Sequence, residues 1–530
     1  MIRITQVKLP LDHTYEDLKI RTAKLLRIPD QQLREIHIVK QSVDARKREE
    51  ISYSYVLDVE CDREETVIRR CRNRNASIRK DKPYQFPKSG EEALNTPPVV
   101  VGSGPCGLFC ALMLAVHGYR PLLLERGGPV EERTKKVDRF WKTGELDPEC
   151  NVQFGEGGAG TFSDGKLNTL VKDPAGRNRK VLEIFTQFGA DPSICYVNKP
   201  HIGTDELSRI IPAMREEINR LGGQVEFYSK VTDIVLENGR VSGLTINGER
   251  HILAQAVVLA IGHSARDTFR MLLSRQVPMD AKAFAVGVRI QHPQEMIDES
   301  QYGRDAAAIL GAASYKLTHT CANGRGVYSF CMCPGGLVVN ASSEPGRLAV
   351  NGMSYHARDG KNANSALIVT VKPEDFGGDG PLAGVEFQQQ LEEKAYEAGG
   401  GRIPVQLYGD FVDGRISENF GEVQPAFAGE TAFGDMNEIL PQEVADSLRE
   451  GIASFGQVIP GFDRPDAILA GVESRTSSPV RIHRDEHMES AVKGLFPCGE
   501  GAGYAGGITS AAMDGIRAAE ELARRYRPFS

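Results

Sequence analysis

Cysteine and tryptophan are sparse in this chain, ten and one in 530 residues. No two cysteines form a Cys-x-x-Cys pair. That excludes a thioredoxin-type dithiol and leaves no second ligand pair for zinc, so no metal is expected. Ten scattered cysteines in a chain this long do not make a disulfide scaffold either. Cys331 and Cys333, one residue apart, are too close for ordinary disulfide geometry without strain; core packing is the expected fate of these and most other thiols. Long apolar runs are missing as well. The longest, Leu108 to Val116, stops at His117, far short of the roughly 20 residues a membrane helix needs. Met1 to Thr5 lack the apolar region of a signal peptide. A cytoplasmic chain with no membrane partner is the expectation.

What is present is an ordinary globular composition, 41% hydrophobic and 25% charged, with length for two to four domains. Net charge is −7, yet residues 1–90 hold 20 Lys/Arg against 14 Asp/Glu. A basic appendage on an acidic body can contact nucleic acid or an acidic partner, or form a solvated surface. This first module reads as α+β: a strand at Ile2–Ile4, a helix capped by Asp12 or Thr14, strands near Glu35–Lys40 and Ile51–Val59, and a charged loop from Ser42 to Glu50. The module is expected over residues 1–82, and a proline-punctuated linker then runs to a boundary near 95.

Two glycine-rich segments lie at nearly opposite ends of the remainder. The first is Val99-Val100-Val101-Gly102-Ser103-Gly104-Pro105-Cys106-Gly107, followed by an apolar helix and Leu122-Leu123-Leu124-Glu125-Arg126. Gly102, Gly104 and Gly107 have the dinucleotide-fingerprint spacing: a tight turn, backbone approach to a pyrophosphate, and close helix–strand packing. Phosphate would rest on amides at the helix N-terminus. Glu125 ends the next strand, where an acid accepts from ribose hydroxyls and repels a 2′-phosphate. The second segment, Gly494 to Gly501 followed by Gly506-Gly507-Ile508, opens a helix from Thr509 to Arg525. Glu500 is placed for a ribityl chain, and the helix N-terminus for the pyrimidine of a reduced flavin, where negative charge gathers. A nicotinamide site needs only the first segment; FAD uses both. FAD is therefore the expected cofactor.

Other segments fit this picture. The loop Phe154 to Lys166, which contains Gly158, Gly160 and Thr161, is too glycine-dense for regular structure, as backbone close to a bulky ligand would be. Lys166 is a candidate to sit near the flavin. The strand at Lys230-Val231 can present backbone to adenine. A hairpin over Val225–Ile234 and Arg240–Thr245 turns at Asn238-Gly239. It leads into the apolar run Ala256 to Gly262, a strand buried on both faces, whose Ala260 and Gly262 join the candidate cofactor contacts with Ser103, Pro105, Arg126, Gly499 and Ile508. Residues 280–470, with a strand at Ala366–Val371 and a helix at Gly384–Ala398, form an insertion suited to substrate binding. The expected organisation is thus 1–95, a small basic module with its linker; 96–279 and 471–530, a Rossmann-like FAD-binding domain; and 280–470, an inserted α+β domain. Arg475 or Arg481 can bind a substrate carboxylate or make a structural ion pair. His356 is a candidate acid–base group.

Taken together, Phe154 to Leu167, Phe330-Cys331-Met332-Cys333-Pro334-Gly335-Gly336 and Pro497 to Ile508 resemble a bacterial family described broadly as FAD-dependent, or NAD(FAD)-utilizing, dehydrogenases of poorly characterised function. The resemblance covers nearly the whole chain, including Ser42-Val43-Asp44-Ala45-Arg46-Lys47. It implies the glutathione-reductase-like FAD fold, with Gly102, Gly104, Gly107, Glu125 and Glu500 as cofactor contacts, and no substrate. Pyridine-nucleotide disulfide reductases carry a second glycine fingerprint and a helical redox dithiol. Neither is visible here, and Gly377-Gly378-Asp379-Gly380 reads as a loop. The expected activity is hydride transfer between a small-molecule substrate and flavin N5, with a transient electron donor or acceptor. Two alternatives stand beside it: an RNA-directed flavoprotein that uses the basic module, and a non-catalytic FAD-binding regulatory protein.

Overall fold

The computed structural model describes residues 1–80 and 83–528; Asp81 and Lys82, at the expected end of the first module, lie outside the described residues, as do the last two residues of the expected 471–530 segment. The module is β1 (Ile2–Leu9), α1 (Tyr15–Leu26), β2 (Leu33–Asp44), β3 (Ser52–Cys61), α2 (Glu64–Cys71) and β4 (Ala76–Ile78). Its antiparallel sheet has the order β2-β3-β1-β4, the β-α-β-β-α-β arrangement. Thr14 rather than Asp12 caps α1, in a reciprocal capping box with Asp17. Strand β2 runs on to Asp44, paired with Ser52, so the expected charged loop is shorter than its composition suggests. Leu18, Leu26 and Val67 pack on Ile2, Ile4, Leu57 and Val59. Tyr55 is buried in this core with Tyr53 packed against it, while the opposite face carries Arg3 bonded through two nitrogens to Asp58. The edge of β2 docks on the body: Gln41 N donates to Tyr196 O and Gln41 O accepts from Asn198 N, both at 2.7 Å.

The segment after the module is pinned rather than loose. Gly90 N donates to Ala523 O, and Glu92 N to Arg525 O. Chain then enters a five-stranded parallel sheet built from β5 (Val99–Val101), β6 (Leu122–Leu124), β7 (Gln224–Glu226), β11 (Val257–Leu259) and the late strand Leu495–Pro497. Helix α3 (Pro105–Val116) connects β5 to β6. It is buried along nearly its full length because the C-terminal helix, Ile508–Arg525, crosses it closely. A Cβ at Gly515 would lie 2.0 Å from Cys106 O. Val225 belongs to β7 and not to the hairpin. The hairpin is β8 (Val231–Glu237) and β9 (Arg240–Ile246), extended by β10 (Arg250–Leu253). Asn238 and Gly239 turn it with φ of 51° and 74°, the left-handed pair a two-residue hairpin favours.

Residues 284–473 form the third body, around a seven-stranded mixed sheet. Its central strand Phe284–Pro293 lies between Asn362–Val371 and Ile468–Glu473, and the helices Ala383–Ala398 and Gln442–Gly456 contribute Leu391, Leu448 and Ile452 to its core. Strand Ile468–Glu473 runs through the boundary expected at 470, because a run of six buried residues carries no turn signal. Among the described residues no helix is long and apolar enough to cross a membrane.

Candidate active site

A cavity of about 500 Å³ opens where the parallel sheet meets the third body. It lies beyond the C-terminal ends of β5, β6 and β11, the place where open α/β sheets bind ligands. Fourteen of the residues singled out from sequence line it: Gly102, Gly104, Pro105, Glu125, Arg126, Gly158, Gly160, Lys166, Val231, Ala260, Gly262, Glu500, Gly507 and Ile508. The other four sit behind its wall. Ser103 bonds Glu125 through both N and Oγ. A Cβ on Gly107 would meet Gly102 O at 1.8 Å. Thr161 is fully buried, and Gly499 N donates to Asp514.

The glycine turn is built for close approach. Gly102 has φ +99°, and a Cβ there would be 2.4 Å from Ala260 O. Helix α3 begins at Gly104 and the C-terminal helix at Gly507, neither with a side-chain cap. Their first amides are therefore left for solvent or a ligand. Glu125 lines the cavity, but its lone pairs are occupied: Oε2 accepts from Ser103 N and Oγ, and Oε1 from Gly127 N and Gly155 N. It organises the turn, and a ribose hydroxyl would have to share one of these oxygens.

Behind the 151–158 loop lies Arg133, with no exposed surface. Its guanidinium donates to the carbonyls of Asn151, Val152, Glu156 and Gly158. Burial pushes the Glu156 carboxyl up to about 7, against the Val130 N–H and Arg215. A raised carboxylate stabilises the fold most below its unfolded value of about 4.5, and that contribution is lost as pH rises through 7. Glu156→Gln is expected to gain stability relative to the wild type as pH increases across this window; melting temperatures at half-unit pH steps measure it, and a constant difference refutes it.

At the far end, Asp164 is buried between Lys166 Nζ, at 2.6 Å, and the Arg358 guanidinium. Burial alone would raise its pKa, but the two cations hold it below the ordinary carboxylate range. Lys199 and Lys316 are exposed at the rim. His263 was not singled out from sequence. It is 8% exposed, its Nδ1 is 3.5 Å from Glu500 Oε1, and its Nε2 has no protein partner. A histidine just past an apolar parallel strand was the available signal. Cys331 and Met332 also line the cavity, where core packing was expected for Cys331.

The three substrate-side candidates, Arg475, Arg481 and His356, fall in different places. Arg475 reaches the cavity, but its nitrogens are committed to Glu392, Ser264 and Ser343; the ion-pair alternative holds. Arg481 lies outside, donating to Gly503 O and stacked over Tyr504. His356 is exposed, outside the cavity, with Nδ1 2.7 Å from Ile202 O. Elsewhere, ligand-type atoms of His319, Cys321 and Glu450 lie within 4.8 Å of one another, but each is bonded to protein.

Residues 96–311 match the pyridine nucleotide-disulphide oxidoreductase family, residues 283–476 the FAD-dependent protein C-terminal domain-like family, and residues 1–60 a domain of unknown function. These matches define an FAD-dependent oxidoreductase. An uncharacterized protein of Clostridium beijerinckii is 49% identical over 530 residues, 99% of each chain. The chain belongs to its family, one of FAD-dependent oxidoreductases, and FAD is the cofactor. Among solved structures, the glycerol-3-phosphate dehydrogenase from Bacillus halodurans complexed with FAD is 13% identical with a TM-score of 0.35, covering 82% of this chain; this chain spans 65% of that one. The L-proline dehydrogenase from P. horikoshii is 14% identical with a TM-score of 0.34, covering 82% and 93%.

Proposed function

We propose that FAD lies extended in this cavity, in the glutathione-reductase manner, and that the protein passes a hydride between a small anionic molecule and flavin N5. The observation that carries the reading is the common lining: Gly102 to Arg126 and Glu500 to Ile508, from opposite ends of the chain, face one space. The residues suit the group. Two uncapped helix N-termini, the unpartnered His263 Nε2 and the glycine floor at Gly104 and Gly507 offer donors and room to a long anionic cofactor. Bound FAD supplies two-electron chemistry at N5.

The chain's own work is positioning. Gly104 and Pro105 hold the pyrophosphate against the amides of α3. Glu500 accepts from the ribityl hydroxyls, with His263 beside it. The C-terminal helix dipole favours negative charge at the pyrimidine. Lys199, Lys316 and Arg358 draw an anionic substrate to the rim, and the Tyr315–Phe330–Met332 wall limits water. Anaerobic titration with panels of small carboxylates and phosphates is expected to bleach the oxidised-flavin band for one class. Bleaching only by uncharged compounds would overturn the anion assignment, and no bleaching across broad panels would overturn the dehydrogenase reading.

A further inference from the structure

We propose that Cys331 and Cys333 form a thiol–disulfide exchange site in the cavity wall, with Cys331 the attacking thiolate, Cys333 the resolving thiol, and a low-molecular-weight disulfide the substrate. In a regular strand, residues i and i+2 share a face with Cα atoms roughly 6.6 Å apart, near the upper limit for bridging. Here the strand Gly326–Cys333 is irregular at this point: its pairing with Asn362–Val371 shifts register between Phe330 and Cys333. Cys331 itself stands at φ +44°, a conformation costly for a side-chain-bearing residue and common at functional sites. The Cys333 thiol donates to Cys331 O at 3.3 Å.

The two thiols differ in what they can do. Cys331 is half-buried and lines the cavity; Cys333 has no exposed surface. Below them Arg289, fully buried, donates to Cys331 O at 3.0 Å and comes within 3.9 Å of Cys333 Sγ. Lys166 adds a second cation at the same wall. The Cys333 hydrogen bond, then Lys166 and Arg289, hold the Cys331 thiol well below its ordinary range in spite of burial. Its own bond to Cys331, and burial, push Cys333 well above. One sulfur is a nucleophile and the other keeps its proton. The other close sulfur pair, Cys106 and Cys498 at 3.1 Å, is buried on both sides; only Cys106 reaches the cavity wall, and burial pushes its thiol well above the ordinary range.

The exchange balances without further partners. The Cys331 thiolate attacks one sulfur of R–S–S–R; the Cys331–S–R bond forms, the original S–S bond breaks, and RS⁻ leaves and takes a proton from water. Cys333 then loses its proton to the second departing RS⁻ as it attacks the Cys331 sulfur, closing the internal disulfide. Two electrons pass from the dithiol to R–S–S–R, giving two RSH. Two equivalents of thiol reverse the sequence. A two-electron sulfur couple thus stands in the cavity assigned above to the flavin, although the exchange does not rest on that assignment.

The test uses the flavin-loaded protein and oxidised glutathione as the probe, with thiols trapped in acid and mapped by peptide mass spectrometry. Wild type is expected to release glutathione and yield a Cys331–Cys333 disulfide, and Cys333→Ser to accumulate glutathione on Cys331. In the wild type, iodoacetamide near pH ~6.5, where an ordinary thiol is about 1% ionised, should alkylate Cys331 about tenfold faster than free glutathione, and Lys166→Met should slow it. A Cys331 that stays unmodified under both reagents overturns the proposal, whether or not either variant folds. Flavin content, measured on the same samples, separates the readings: full flavin with a silent Cys331 refutes the exchange site alone, and exchange in protein that takes up no flavin refutes the cavity's assignment to FAD alone.

Discussion

Gly104→Leu and Gly507→Leu are each expected to give folded protein that purifies without flavin. The two positions are far apart in sequence, yet both line the cavity. Neither substitution meets a wall of protein: a Cβ at Gly104 comes no nearer than 3.8 Å to Gly158 Cα, and one at Gly507 finds only Ser510 Oγ at 4.0 Å. The new side chain has only the cavity to enter. Where a cofactor presses on backbone, four added carbons displace it, and a loss of at least a hundredfold in affinity, about 2.8 kcal/mol, is the expected scale. Gly326→Leu serves as the control, since its Cβ also meets nothing within 4 Å and it lies outside the cavity. Circular dichroism should match wild type in all three, with flavin retained in the control alone. Stoichiometric flavin in either cavity variant would refute the extended-cofactor reading, and flavin loss in the control would show that the assay reports folding instead.

Glu392→Ala is expected to be the most destabilising of simple substitutions in the third body. Glu392 has no exposed surface and bonds both Arg266 and Arg475, themselves 1% and 8% exposed. Burial would raise its pKa, but the two guanidiniums hold it far below the ordinary carboxylate range. Removing the carboxylate leaves one buried cation without an anion: Glu344 still reaches Arg266, while Arg475 keeps only the Ser264 and Ser343 hydroxyls. A buried ion deprived of its partner costs about 3–5 kcal/mol, which in a body of this size lowers the melting transition by on the order of 10 °C. Scanning calorimetry measures it. A fall of only a degree or two would mean that water reaches the site and screens the pair. Arg475 Nη1 also holds Ser264 on the cavity wall, so flavin release should become easier in the same variant.

The parts of this fold legible in the sequence are those with strong local physics. The glycine turn at Gly102–Gly107, the buried run ending at Gly262 and the C-terminal helix each announce themselves through spacing or periodicity. Short strands without an apolar run do not: β4 (Ala-Ser-Ile) and β7 (Gln-Val-Glu) carry no hydrophobic pattern, and Val225 reads with the neighbouring hairpin. Helix α2 is so charged that only Val67 and Cys71 mark its buried side. At the site, spacing identifies a motif but not the direction in which each side chain faces. Ser103 and Gly107 stand inside the fingerprint and still lie behind the wall. Sequence leaves Arg475 open between substrate and ion pair because its partner Glu392 is 83 residues away. Nothing local tells Cys331 from its buried neighbour Cys333, since the bulge that separates their fates is set by pairing with a distant strand.

The outer strand of the parallel sheet, Leu495–Pro497, joins β11 almost 400 residues after β5 was made. On a ribosome adding about 5–20 residues per second, β5 and its glycine turn wait roughly 20–80 s for that strand. The first module, whose strands are all close in sequence, can fold long before then. The nascent chain therefore spends most of its synthesis with an open sheet edge and the apolar flank of α3 uncovered. Chaperone demand during translation, and cofactor loading only after release, are consequences of this wiring.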